Sequence, residues 1–277
     1  MALSPVSKKV GSAATGPLAI ILSPIMPRWD DGKFCAPLVE QLTAKGYQTH
    51  IYDSLSLATD TSLDDTAAAW NQFLQQQHTH IQLAIGHAYG GALVHSLLSG
   101  ALATCPMVIG ISAPTHSNAI LRIGLKNILT QLSQYGETAA IAALAYWIQA
   151  KNNPTSRLTR SLAIPSSINP ENGTPHVTPG SISIQRLRIG LSQLLDFDAR
   201  PAVEKYVNRL LILYGTASRL VNHHSITLSH TNAQQMCIGL AASGMRPLID
   251  NPTLTLKLIA HFLHSPNAND KMTSITK

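Results

Sequence analysis

The sequence predicts an α/β fold, a mostly parallel central sheet flanked by helices, with a helical insertion. Three observations predict it. Short apolar runs alternate with helical patterns along most of the chain, the signature of strands joined by crossover helices. The segment from Ile81 to His95 passes from an apolar strand through Gly86-His87-Ala88-Tyr89-Gly90 straight into an amphipathic helix pattern. At 277 residues and 45% hydrophobic, the chain is long and apolar enough to bury one full core.

The elements follow in order. Residues 18–22 read as a strand and are followed by a Pro-rich loop, 23–27. A helix over 34–45 stops at Gly46, and 47–52 is the next strand, ending at Asp53. A helix covers 64–76, a buried strand 82–85, and a helix 90–99. Further strands fall at 106–111, 209–214 and 235–240, with a closing helix at 252–264 and a frayed tail beyond. Nearly a hundred residues between the strands at 106–111 and 209–214 do not fit the alternation. They hold helical patterns at 117–135, 137–151 and 181–195 around a Pro/Ser/Asn-rich stretch, 152–179. In a parallel sheet such an insertion becomes a cap over the carboxyl ends of the strands, where ligands bind. The expected domains are a core of 1–112 and 196–277 and a helical cap of 113–195.

Composition excludes several classes. Charged residues are only 12% of the chain and the formal net charge is +6. A mildly basic surface favours acidic partners, but no run of Lys/Arg interleaved with aromatics points to nucleic acid. No apolar stretch reaches membrane-spanning length. Cys35, Cys105 and Cys237 are widely spaced and cannot all pair, so a reduced, cytoplasmic protein is expected. Cys105 and Cys237 read as core residues and Cys35 as exposed. The twelve histidines, including His78-x-His80 and His223-His224, contain no metal-ligand spacing and read as surface residues. No metal and no cofactor are expected.

The candidate chemistry centres on Ala88. In a hydrolytic elbow of the form G-x-S-x-G, the central serine sits on a strained strand-to-helix turn that small flanking residues allow to close. Here a methyl group stands at that centre. His87 has the intrinsic pKa for acid–base work, with its ring directed away from the pocket. Tyr89 contributes a backbone N–H that needs no side chain to face an anion. Further ligand-facing candidates are Ser23, Pro24, Arg246 and Trp147, the last within an apolar stripe over 123–148.

These features resemble the α/β-hydrolase superfamily, and within it the small capped carboxylesterases that include the pimeloyl-carrier-protein methyl ester esterase of biotin synthesis. Besides the elbow, the likeness rests on Leu195-Asp196-Phe197-Asp198-Ala199-Arg200-Pro201, on residues 211–221 after a strand, and on Ala241-Ala242-Ser243-Gly244-Met245-Arg246-Pro247. The resemblance implies a Ser–acid–His triad in that chain order. Carried over position by position, the nucleophile is Ala88, the acid Ser218 and the base Met245, so all three are substituted. The family's His-Gly oxyanion motif reads Ser23-Pro24, and proline has no N–H to donate. Asp196, Asp198, Asp250, His223, His224, His261 and His264 lie near these loops without occupying the triad positions. Loss of the whole set looks like divergence from ester hydrolysis rather than one inactivating change. No catalytic residue for hydrolysis is expected.

The resemblance also implies an apolar, acyl-like or polyketide/terpenoid-like ligand between sheet and cap. The cap carries Arg122, Lys126, Lys151, Arg157, Arg160, Arg186 and Arg188 against Glu137 and Glu171. In the resembled esterases such a basic cap meets an acidic acyl carrier protein, an encounter that complementary charge orients. Three readings stand open: a non-hydrolytic lyase, cyclase or binding protein; an esterase of carrier-bound or small esters in inactivated form; or a structural partner in a complex.

Overall fold

The computed structural model describes residues 4–11, 16–151 and 179–264, and side chains from 184 onward in the last stretch. Seven strands form one sheet: β1 (Ser7–Val10), β2 (Leu18–Leu22), β3 (Gln48–Tyr52), β4 (Leu83–His87), β5 (Met107–Ile111), β6 (Arg209–Gly215) and β7 (Gln235–Leu240). Their order is β1-β3-β2-β4-β5-β6-β7. Only β1 runs antiparallel, pairing Lys9 with His50 of β3. The other pairs are parallel, with Ile85 of β4 between Ile21 of β2 and Ile109 of β5.

The helices are α1 (Ala36–Ala44), α2 (Leu63–Gln77), α3 (Tyr89–Ser96), α4 (Ala119–Ile148), α5 (Pro179–Gln193), α6 (Arg200–Lys205), α7 (Pro247–Asp250) and α8 (Pro252–His264). Strands buried on both faces read as continuous apolar runs, and the core divides accordingly. Ile20, Leu22, Ala84, Val108, Leu210 and Ile212 face α2, α3 and the α4–α5 insertion. Ala19, Ile21, Leu83, Ile85, Leu211 and Leu213 face α1 and α8.

Local sequence explains the ends. Ser62 caps α2 with its hydroxyl on the Asp65 N–H, while the Asp65 carboxylate accepts the Ser62 N–H, a capping box. Asn118 caps α4 by accepting the Leu121 N–H at 2.9 Å. The expected break between the 117–135 and 137–151 patterns is a kink inside α4, at Gly136 with φ 80° and ψ −167°.

Three expectations need correction. Residues 7–10 form an edge strand that was not expected, because Lys8 and Lys9 mask the period-two signal while suiting an exposed sheet edge. Cys35 is fully buried, its Sγ donating to the Gly32 carbonyl at 3.4 Å, because the turn before α1 folds it under the sheet. His78 is half-buried, drawn in by Tyr52. The stretch 152–178, with Arg157, Arg160 and Glu171, and the tail after 264 lie outside the described residues.

Candidate functional site

The centre of the site is the turn between β4 and α3. Ala88 has φ 51° and ψ −109°, a backbone region that costs a non-glycine residue about 1–3 kcal/mol. Two features hold it there. The Ala88 N–H donates to the Ile111 carbonyl at 2.9 Å, extending the β4–β5 ladder, while its own carbonyl accepts from Gly91 and Ala92 at 3.0 Å. The turn also closes too tightly for side chains: a Cβ at Gly86 would overlap the Gly90 carbonyl, and one at Gly90 the carbonyls of Leu22 and Ser23. This conformation presents the residue-88 side chain above the sheet, and that side chain is a methyl group. It has no lone pair and no acidic proton, so it offers neither a nucleophile nor a metal ligand. The Tyr89 N–H belongs to the first turn of α3, whose amides lack intrahelical partners.

The positions matched to the acid and base lie on neighbouring loops. Ser218 follows β6 and is buried, its Oγ accepting the N–H groups of Leu220 at 3.2 Å and Val221 at 3.1 Å. The hydroxyl thereby folds the turn. Met245 is buried after β7; its N–H donates to Ile148 at 2.9 Å. Ala217 donates to Ser243 at 3.0 Å, and Lys151 donates to Ala217 at 2.9 Å. The end of α4 and the residues after it therefore run between the two loops and bind both. Tyr89, Leu220, Val221 and Met245 share one apolar cluster, against which Ala88, Trp147 and Ile148 pack.

His87 is buried and its Nε2–H donates to the Met245 carbonyl at 3.0 Å. Since a carbonyl only accepts, this fixes the tautomer, and Nδ1 is left enclosed without a partner among the described residues. Burial holds the imidazole below the usual histidine range; the Met245 bond opposes that and the Arg246 charge adds to it. A neutral ring follows at pH 7.

The remaining expected ligand contacts are placed as follows. The Ser23 hydroxyl accepts the Ser54 N–H at 3.1 Å and its carbonyl accepts the Ser54 Oγ–H at 2.7 Å, so both its polar groups join β2 to the loop after β3. Pro24 is half-buried beside it. Tyr89 is fully buried and donates to Gln193 Oε1 at 2.5 Å, with burial pushing its phenol up. Gln193 in turn donates to the Thr59 carbonyl and Thr66 Oγ1. Arg246 is half-buried at the start of α7; its Nε is enclosed without a partner among the described residues, and burial lowers its pKa against the opposing Asp250. Trp147 donates from its indole N–H to Asn127 at 3.1 Å and lies against Gly124. The structure thus gathers Ala88, Met245, Tyr89 and Trp147 at one apolar centre, while Ser23 and Ser218 spend their hydroxyls on backbone.

Sequence reasoning missed how α5 is fastened over the strand ends. Arg186 donates to Asp53 Oδ1 at 2.8 Å and to the Met26 carbonyl at 3.3 Å, and Asp53 is almost fully buried. Asp53 and Arg186 are separated by more than a hundred residues, so no local pattern joins them. Two open hollows, of about 240 and 430 Å³, share Asp198, Pro201 and Lys205 along α6, and neither is lined by Ala88, Ser218 or Met245. Among the described residues no three His, Cys, Asp or Glu side chains gather as a metal group. No described helix is long and apolar enough to cross a membrane.

No family model and no curated protein matches the sequence. Solved structures do match. An α/β-hydrolase enzyme from a Medee basin deep-sea metagenome library is 11% identical, with 96% of each chain covered and a TM-score of 0.76. The enol-lactonase of Burkholderia xenovorans is 13% identical over 94% of this chain and 96% of its own, at a TM-score of 0.69. An esterase from Exiguobacterium antarcticum is 15% identical over 94% of this chain and 95% of its own, at 0.68. The mostly parallel seven-stranded sheet flanked by helices belongs with these similarities: this chain has the α/β-hydrolase fold.

Proposed function

We propose that this chain is a non-hydrolytic member of the α/β-hydrolase fold, binding an apolar, acyl-like or polyketide/terpenoid-like ligand between the sheet and the α4–α5 insertion, which acts as its cap. The observation that carries the reading is Ala88: an elbow backbone is kept at its usual strain, with a methyl where a nucleophile would stand. Ser218 and Met245 supply neither acid nor base at the matched positions, so classical acyl transfer lacks all three of its groups. What remains is an apolar surface from Met245, Leu220 and Trp147 with the Tyr89 amide beside it. Such a site suits recognition of a carbonyl-bearing chain, or a lyase or cyclase step that relies on shape and polar contact. Arg122 and Lys126 on α4 extend the proposal to an acidic carrier protein as the ligand's source.

The test is native mass spectrometry of the purified chain, with organic extraction of whatever is retained. The reading expects a bound acyl-like species that Met245→Trp displaces by filling the site. A chain that carries nothing and binds no acyl chain when offered would contradict it.

A second reading has one supporting observation. Because the strained turn survives, a hydrolase frame inactivated by substitution remains consistent with the backbone. Detectable ester turnover by the unaltered chain, from a rearranged site, favours this second reading.

A further inference from the structure

We infer that His50, Tyr52 and His78 form a binding site for a divalent transition-metal ion, copper(II) above zinc(II). The three side chains come from two elements. His50 and Tyr52 are two residues apart on β3 and so share a face of the sheet, while His78 ends α2. His78 Nε2 lies 2.8 Å from the Tyr52 hydroxyl, and His50 Nδ1 lies 3.4 Å from the same oxygen. The two imidazole rings are 5.2 Å apart.

The geometry matches a coordination shell. Metal–ligand bonds of about 2.0–2.1 Å at square to tetrahedral angles set neighbouring donor atoms about 2.8–3.4 Å apart, the span of the two measured separations. Hydrogen bonding alone uses the cluster poorly, since the phenol has one proton and can give it to one imidazole. The second nitrogen, at 3.4 Å, is at the limit of a hydrogen bond. Imidazole suits copper and zinc, and copper(II) is favoured over zinc(II) at a given nitrogen/oxygen site.

Without a metal, the Tyr52 hydroxyl and His78 Nε2 share a hydrogen bond at 2.8 Å. Metal binding replaces that bond: the phenol proton leaves to solvent as the Tyr52 Oη–metal bond forms, and the imidazole nitrogens bind as neutral donors. His50 and His78 are half-buried, which leaves the outer side open for water ligands. Lys9 faces His50 across the β1–β3 pair, but it is exposed and its charge is screened. A bound ion would join the end of α2 to the sheet beside Trp70 and Phe73, whose rings lie 5.5 and 5.6 Å from Tyr52.

The experiment titrates the full chain with copper(II) at pH 7, reading tryptophan fluorescence and visible absorbance. One equivalent is expected to quench Trp70 and to produce a phenolate-to-copper charge-transfer band, EDTA reverses both, and an equal concentration of zinc(II) does not. His50→Ala and His78→Ala each weaken binding by more than the roughly tenfold that outer-shell partners cost. Tyr52→Phe, which keeps the packing, removes the band and weakens binding. Replacing the exposed His223 and His224 changes neither signal. Circular dichroism verifies that each variant is folded, and thermal stability that rises with copper only when all three residues are present gives an independent readout. Folded His50→Ala and His78→Ala variants that bind copper within twofold of the parent would overturn the assignment.

Discussion

His87 donates from Nε2 to the carbonyl oxygen of Met245 at 3.0 Å, joining residues 158 apart in the chain. One end of this bond is the last residue of β4, directly before Ala88; the other is the loop residue matched to a catalytic base. Met245 is held again from the opposite side, where its N–H meets Ile148. A residue fixed through both its backbone groups, with an apolar side chain in the core, is a structural keystone between elbow and insertion. Its neighbour His87 serves that link as a neutral donor.

The buried histidines set the response to acid. His95 is fully buried, with Nδ1 paired to the Pro114 carbonyl, and burial holds it at about 4. Burial also lowers His87 and His78. For a histidine depressed in the folded state, the unfolded chain binds more protons, so stability rises with pH. The contribution is complete above about 6.5 and is lost as pH falls toward 4. Urea denaturation from pH 7 to pH 4 should show stability dropping, with His95 alone supplying on the order of 3 kcal/mol. His95→Asn should flatten that part of the curve; an unchanged slope would refute the assignment.

Ala88→Gly should stabilise the chain. Relief of the strained turn returns about 1–3 kcal/mol, while the added freedom of glycine in the unfolded chain costs about 0.5–1 kcal/mol. A net gain of about 1 kcal/mol in denaturant unfolding is expected. A loss would mean that the Ala88 backbone is not under strain.

Arg186→Ala should be costly, because Asp53 is left almost fully buried without its cation. Breaking such a pair costs about 3–5 kcal/mol, whereas an exposed pair such as Lys8 with Asp31 contributes under about 1 kcal/mol. Hydrogen exchange should also speed up along α5. Equal effects from Lys8→Ala and Arg186→Ala would show that α5 is not fastened through Asp53.

Ser218→Ala should cost about 1–3 kcal/mol, since two N–H groups in a buried turn lose their acceptor. Ser218→Thr keeps the hydroxyl acceptor without adding a charge and should hold the turn with a smaller loss. Thermal unfolding of the two variants distinguishes them, and equal losses would deny the hydroxyl its role in shaping the turn.

Much of the frame was legible in the sequence because its signals are local. Leu18–Leu22 is an unbroken apolar run and forms β2 at its expected limits. Gly136 marked the break between two helical patterns and sits at the kink of α4. The elbow was legible because Gly86 and Gly90 are required by close backbone contact and Gly91 by the Ala113 side chain, and Ala88 takes the conformation that the motif predicts. What escaped was long-range. Nothing near His87 announces Met245, nothing near Asp53 announces Arg186, and His50, Tyr52 and His78 meet only when α2 packs on β3. Cys35 was misplaced for the same reason: the lysine two residues before it suggested exposure, while the turn before α1 buries it.

The most direct measurement is steady-state turnover of p-nitrophenyl and pimeloyl-type esters by the unaltered chain, beside an Ala88→Ser/Ser218→Asp/Met245→His variant. The unaltered chain should show no turnover above the protein-free background, and the variant should show measurable turnover. Saturable hydrolysis that co-purifies with the unaltered chain would require a nucleophile other than residue 88 and would rule out a non-hydrolytic site.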